Sequence, residues 1–116
     1  MAKSVTTHTG KNATIVDDDL FINDIQEALD LIANLGMDGC DCIIINEKNI
    51  NSDFFDLRSG FAGEMLQKFS NYRFGLAVVG DFSKYHSKSL RDFIRESNRG
   101  KRIIFTSTIE EALEQL

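Results

Sequence analysis

The sequence lacks the features that would assign it to a membrane, a secretory route or a disulfide-bonded scaffold. Its longest apolar runs are a few residues, far short of the roughly 20 that a helix needs to span a bilayer. The first ten residues, MAKSVTTHTG, contain no apolar segment of the signal-peptide type, so we expect no secretory signal. The only two cysteines, Cys40 and Cys42, give no disulfide framework. We therefore expect a reduced, cytoplasmic protein that makes no membrane contact.

The sequence also lacks an excess of positive charge. Lys and Arg together number 13 against 18 Asp and Glu, which gives a net charge of −5. Nucleic-acid-binding domains depend on a basic face to meet the phosphate backbone. The charge balance therefore argues against nucleic acid as the partner.

Signatures of known enzyme classes are absent. The chain has no P-loop, no G-x-G-x-x-G, no G-x-S-x-G and no H-E-x-x-H. His8 and His86 are the only imidazoles, and no Ser–His or Cys–His pair is indicated by spacing. A structural zinc site needs four ligands, and no second Cys/His pair accompanies Cys40 and Cys42. Both thiols are instead expected to pack as small core side chains on one face of a strand. We predict no catalytic residue, metal or cofactor, and favour a non-catalytic protein.

What the sequence does contain is the pattern of an α/β fold. A chain of 116 residues is near the usual size of one domain, so we expect a single domain over 1–116. Strands are predicted at 3–8, 12–16, 40–45, 74–80 and 102–107. The first two form a hairpin, and the others alternate with helices, which favours parallel pairing through right-handed crossovers. The predicted order is β-β-α-β-α-β-α-β-α in a mixed, mostly parallel sheet.

Helix boundaries are marked by capping residues. The first predicted helix carries apolar residues at i, i+3, i+4 and i+7 from Ile25, after an N-cap box at Asn23, and it stops at Gly36. Further helices are predicted at 59–72, 87–98 and 108–116.

The stretch DLRSGFAGEML places Ser59, Gly60 and Gly63 at the start of the second helix. A helix start leaves about four N–H groups unpaired and carries partial positive charge, so it favours a phosphate. The same serine would also serve as an ordinary cap that uses its own hydroxyl. The residues leave both interpretations open, and capping is the commoner use.

Two family resemblances add to this pattern. The run FFDLRSGFAGEMLQKFSNYR…VVGDFSKYHSKSLRDFIRESNRG resembles a family of small bacterial proteins of unknown function, over essentially the whole chain. That resemblance implies no activity. The strand order and the tract Leu57-Arg58-Ser59-Gly60-Phe61-Ala62-Gly63 also resemble the STAS domain of anti-sigma-factor antagonists, in which a kinase phosphorylates a serine at the start of a helix. Arg58 occupies the position that is phosphorylated in the family, and Ser59 matches the next hydroxyl of the motif.

The STAS resemblance implies a regulatory, protein-binding module whose partner is a kinase or a sigma-factor regulator. We expect the contact surface to include Arg58, Ser59, Gly60 and Gly63, with phosphate at Ser59 as the regulatory signal. The preceding pair, Phe54 and Phe55, would anchor the partner if it is not absorbed into the core. The protein could instead form a homodimer that pairs through the edge of the N-terminal hairpin.

A basic face is predicted on the third helix, where Lys88, Arg91, Arg95 and Arg99 fall within one stripe. It could meet an acidic partner. Acidic residues at 92 and 96 share that side, however, and favour a solvated face of i, i+3 ion pairs.

The alternative function is a small-molecule or magnesium-binding enzyme. Asp18, Asp19, Glu47 and Asp81 follow predicted strands, and the carboxyl ends of parallel strands meet at the edge where ligands bind in open sheets. Carboxylate oxygens suit Mg²⁺. Turn and cap chemistry also explains these acids.

Overall fold

Five strands form one sheet in which they lie side by side in chain order. In the computed structural model, which describes residues 3–116, the strands are β1 (Lys3–Thr6), β2 (Asn12–Ile15), β3 (Cys42–Asn46), β4 (Gly75–Val79) and β5 (Ile103–Thr106). β1 and β2 are antiparallel, and every later pair is parallel. The predicted α/β class, element order and mixed sheet are confirmed.

Four helices connect and flank these strands: α1 (Ile25–Met37), α2 (Phe61–Asn71), α3 (Lys88–Gly100) and α4 (Ile109–Gln115). The N-cap of α1 is Asp24, one residue after the predicted cap. Its carboxylate accepts the Glu27 N–H at 2.8 Å, while the Glu27 carboxylate accepts the Asn23 N–H at 3.3 Å. Two acids therefore cap the start of α1, with Glu27 reaching the N–H of the residue before the N-cap. Gly36 does not end the helix, and the chain turns away only at Gly39, with φ +86°.

Apolar side chains fill a layer on each face of the sheet. The larger layer packs Ile43, Ile45, Leu76 and Val78 against α1, α2 and partly buried side chains of α3. Strands that advance in one direction by right-handed crossovers place all three connecting helices on the same face. The smaller layer packs the opposite side chains of β3, β4 and β5 against α4. β4 is buried along its whole length, as its continuous apolar run predicts.

The two cysteines do not share one face, contrary to prediction. Cys42 packs in the smaller layer, whereas Cys40 contacts the larger one, because β3 begins only at Cys42 and the chain before it is not part of the strand. Burial raises the pKa of Cys42 to about 12, so this thiol is held protonated.

The polar connector after β3 is folded rather than extended into solvent. It forms three 3₁₀ turns, at Glu47–Asn49, Ser52–Phe55 and Leu57–Ser59. The buried Asn49 amide donates to the carbonyl oxygens of Asp18 and Leu20 at 3.2 and 2.7 Å. These hydrogen bonds connect the 3₁₀ turn after β3 to the loop after β2.

The outer edge of β5 is closed by one side chain. Asn98 of α3 accepts the Phe105 N–H at 2.7 Å and donates to the Phe105 carbonyl at 3.2 Å, as a neighbouring strand would. An unpaired edge is a template for association with other chains. β1 forms the other edge and is short and largely exposed, so pairing between two hairpins stays a prediction.

None of the helices within residues 3–116 combines the length and the apolar character needed to cross a membrane.

Replacing Asn98 tests the edge closure. Asn98→Ala leaves two partly buried backbone groups of Phe105 without partners, which costs about 1–3 kcal/mol of unfolding free energy. Urea denaturation measures this loss. Asn34→Ala, at an exposed position of α1, is the control and should be neutral or slightly stabilising, because Ala is the better helix former. Equal effects of the two substitutions would contradict the edge assignment.

Candidate functional site

Acidic residues gather at the carboxyl edge of the sheet, but they do not form one ligand set. Asp18 and Asp19 follow β2, Glu47 follows β3 and Asp81 follows β4. Asp18 lies 3.8 Å from the Lys48 ammonium, and Asp81 caps its own turn by accepting from Ser83. Among residues 3–116 no group of three or more His, Cys, Asp or Glu side chains is arranged to hold a metal ion.

Glu47 differs from the other acids because it is buried. Its side chain is 9% exposed, and its Oε1 forms an ion pair with Lys84, which reaches across from the turn after β4. Its Oε2 is inaccessible to solvent and has no hydrogen-bond partner among the described residues. A buried carboxylate is costly unless a cation and hydrogen-bond donors compensate it. The Lys84 cation compensates one oxygen and leaves the other unsatisfied.

Gly80 makes this burial possible. A methyl group at position 80 would lie 2.6 Å from Cγ and 2.7 Å from Oε2 of Glu47, closer than such atoms approach. Gly80 has no left-handed φ, so the close approach, and not the backbone conformation, requires glycine there. The Glu47 side chain, which follows β3, thus packs directly against the backbone of Gly80, which follows β4.

The ion pair extends into an aromatic cluster. The Lys84 ammonium lies 5.4 Å from the ring centre of Tyr85, which stacks on Phe55 with ring centres 5.0 Å apart and an angle of 14°. Its hydrogen bond to Glu47 raises the pKa of Lys84, and burial raises the pKa of Tyr85. Both groups therefore keep their protons at neutral pH.

The two phenylalanines of the connector have different environments. Phe54 is completely buried and contacts Phe61 and Phe105, so it is part of the core and cannot anchor a partner. The condition set for the predicted anchor, that the pair is not absorbed into the core, fails for Phe54, which is the buried residue of the 3₁₀ turn Ser52–Phe55. Phe55 is partly exposed.

A groove runs beside Phe55, between the connector and the start of α3. Its volume is about 510 Å³, and it is lined by Phe55, Asp56, Leu57, Arg58, Ser87 and Ser89. Arg58 is 93% exposed and its Nε lies 3.3 Å from Asp56. The groove thus joins partly exposed apolar side chains with one exposed ion pair and two hydroxyl groups.

Ser59 directly follows Arg58, which lines the groove, and its hydroxyl makes one hydrogen bond to the connector and one to the start of α2. Its hydroxyl donates to the Asp53 carbonyl at 2.7 Å and accepts the Phe61 N–H, the first of α2, at 3.1 Å. Gly60 is the N-cap of α2 and has φ +78°, which favours glycine. Gly63 lies in the first turn of α2 beside open space. Ser59 is exposed.

The basic residues of α3 form the local ion pairs expected of a solvated face. Asp92 lies 2.9 Å from Lys88 and 3.2 Å from Arg95, and Glu96 lies 3.2 Å from Arg99. Hydrogen bonding to Lys88 lowers the pKa of Asp92. Arg91, the remaining cation of the predicted face, is also exposed.

The family of the chain is shown by a match over residues 7–116 to the model of a domain of unknown function, DUF4180. The chain belongs to the DUF4180 family. No curated protein and no solved structure matches it. The resemblance to a family of unknown function is therefore confirmed, while the STAS resemblance of the DUF4180 chain gains no support from this match.

Several residues of this edge were not predicted from the sequence. Ser87 and Ser89 line the groove, Tyr85 supports it, and Gly80 accommodates Glu47. The signal that could have found them was a glycine directly after a buried strand, followed by the aromatic residues of DFSKY. A Glu in a polar connector gives no sign of its own burial.

Two glycine substitutions test the packing of Glu47. Gly80→Ala forces Glu47 from its place and should cost about 1–3 kcal/mol, the usual cost of overpacking. Gly63→Ala, within α2 and beside open space, should stabilise by about 0.5–1 kcal/mol, since Ala is favoured over Gly in helices. Thermal or urea unfolding of both variants measures the difference. If Gly80→Ala were as stable as wild type, the close contact would not exist.

Proposed function

We propose that this DUF4180 protein is a non-catalytic regulatory module that binds another protein through the groove between the connector and α3. The observation that carries the proposal is the groove itself, where partly exposed Phe55 and Leu57 lie next to Arg58 and the Ser87 and Ser89 hydroxyls. Apolar contacts surrounded by polar groups are the usual composition of a protein-binding surface.

The contacts that hold one wall of the groove support this proposal. Phe55 is held by stacking on Tyr85, and the segment that carries Tyr85 is held by the Lys84–Glu47 ion pair. A surface that is already ordered loses less conformational entropy when a partner binds. The partner therefore meets a preformed groove.

Ser59 is the proposed point of regulation. Phosphate at its exposed hydroxyl removes the donor to the Asp53 carbonyl and adds negative charge to a segment that already carries the acidic residues Asp53 and Asp56. The N-terminus of α2 and Arg58 both attract the same phosphate. Residues 53–60 then lose the contact to the Asp53 carbonyl and gain contacts to the phosphate. The position of the groove wall that they form changes as a result. The element order, which resembles that of STAS domains, is compatible with such a mechanism.

Site-specific photo-crosslinking in the native cells tests the proposal. A photoreactive amino acid replaces Ser89 inside the groove, and in a matched control it replaces Glu110, which is exposed at the start of α4 on the other face of the sheet. We expect one discrete protein adduct from position 89 and none from position 110. An adduct pattern that is the same at both positions, or no adduct at all, would contradict the groove.

The same assay tests regulation. Adding Ser59→Asp to the protein that carries the photoreactive group at position 89 should reduce the adduct severalfold, because it adds negative charge to the segment that already carries Asp53 and Asp56. Ser59→Asn introduces a side chain of nearly the same size as Asp but without the charge, so it should reduce the adduct yield less. Equal yields from the two variants would exclude a charge-dependent switch.

A second candidate function is small-molecule binding at the acidic edge, and one observation favours it. The buried Oε2 of Glu47 has no partner within the described chain, although an unsatisfied buried carboxylate oxygen is unfavourable. A buried polar atom without a partner is rare in folded proteins, and a bound ion or ligand is one explanation for it. A ligand with a cationic or N–H group that displaces Lys84 would pair with both oxygens.

A thermal-shift panel of magnesium chloride, nucleotides and guanidinium-bearing amino acids tests this second candidate. A compound that binds the folded state raises the melting temperature by mass action. The shift should appear in wild type and disappear in Glu47→Gln. If no compound shifts wild type, small-molecule binding at Glu47 is rejected and the groove proposal is unaffected.

A further inference from the structure

A second concavity lies at the opposite, amino edge of the sheet. It has a volume of about 290 Å³ and is lined by Lys11, Asp41, Arg73, Gly75 and Arg102. These residues come from the segments that lead into β2, β3, β4 and β5. Four separate parts of the chain therefore meet there because parallel strands begin at the same edge.

The charge in this concavity is strongly positive. Three of its lining side chains are cations, and within residues 3–116 none of the three has an ion-pair partner. The single carboxylate, Asp41, already accepts the Asn12 N–H at 2.9 Å. On a chain with a net charge of −5, three unpaired cations in one hollow are a local departure from the overall balance.

Arg73 is held there at a cost to the backbone. It follows α2 with φ +53°, and the Arg73 and Phe74 N–H groups donate to the Ser70 and Phe69 carbonyls at 3.0 and 2.9 Å. This is the hydrogen-bond pattern of a Schellman cap, whose left-handed position is usually glycine. Arginine there accepts strain that glycine would avoid. Glycine would supply no side chain at this position, whereas the Arg73 side chain lines the concavity.

We propose that the amino-edge concavity is a binding site for a small phosphate-type oxyanion, held by Lys11, Arg73 and Arg102. Lys and Arg are the usual phosphate ligands, Arg through two parallel N–H groups. The volume lies at the lower limit of small-molecule pockets, roughly 300–1,000 Å³, so the site takes a small ligand. This inference does not depend on the groove, which lies at the other edge.

Helix electrostatics offers a plainer account of two of these cations. Arg73 and Arg102 follow the C-termini of α2 and α3, where a cation offsets the partial negative charge. On that account the cations stabilise the helices and bind nothing. Lys11 follows no helix, yet it lines the same concavity.

Calorimetric titration and thermal shift of the whole protein distinguish the two accounts. The probes are inorganic phosphate, pyrophosphate and a phosphomonoester such as glycerol phosphate. We expect wild type to bind at least one probe, and Arg73→Gly and Arg102→Gln each to weaken that binding at least tenfold. Tighter binding of inorganic phosphate identifies a free ion as the ligand, and tighter binding of the monoester identifies a phosphorylated metabolite; either result supports the site.

Arg73→Gly also separates binding from folding. Because glycine relieves the left-handed strain, this variant should melt about 3–5 °C higher while it loses phosphate. Lys101→Gly is the matched control, since Lys101 is likewise left-handed, with φ +62°, but does not line the concavity. It should melt higher and keep its affinity. No binding by wild type at millimolar concentration, or equal affinity in Arg73→Gly, would overturn the proposal.

Discussion

The buried carboxylate of Glu47 determines how closely the chain segments after β3 and β4 can pack. Glu47 directly follows β3, and its side chain packs against Gly80, which directly follows β4. Only glycine leaves room there for the carboxylate. The Lys84 cation compensates part of its charge, which places Tyr85 against Phe55 and so forms one wall of the groove. A chain of contacts thus connects this buried carboxylate to the surface that we propose to be functional.

The two edges of the parallel sheet carry opposite charges for a reason that lies in the topology. Acidic and amide side chains cap the turns that follow the strands, as Asn46 and Asp81 do. Cations such as Arg73 and Arg102 come where helices end and strands begin. Charge is therefore distributed unevenly along the strand direction, although the composition shows only a moderate excess of acidic residues. The groove lies at the carboxyl edge and the basic concavity at the amino edge.

The order of elements could be predicted because apolar periodicity reports burial directly, as the continuous run of β4 shows. The cap of α1 was misplaced by one residue, because Asn23 and Asp24 are equally good caps and only the extended backbone of Asp24 decides between them. The prediction that α2 begins at Ser59 is wrong by two residues, because Ser59 ends a 3₁₀ turn and Gly60 is the N-cap, although the Ser59 hydroxyl accepts the first N–H of the helix. The burial of Glu47 could not be predicted, because it depends on Gly80, which is distant in the sequence and becomes a neighbour only in the folded sheet.

Native-state hydrogen exchange on Lys84→Met tests most directly whether the buried ion pair holds the groove. The account predicts faster exchange of the backbone amides at 54–60 and 82–87, where the groove wall is built, and unchanged exchange in the interior of β4. It also predicts that Lys88→Met, which removes an exposed ion pair of α3, leaves both regions unchanged. Unaltered exchange around the groove in Lys84→Met would contradict the claim that the Glu47 contact organises this surface.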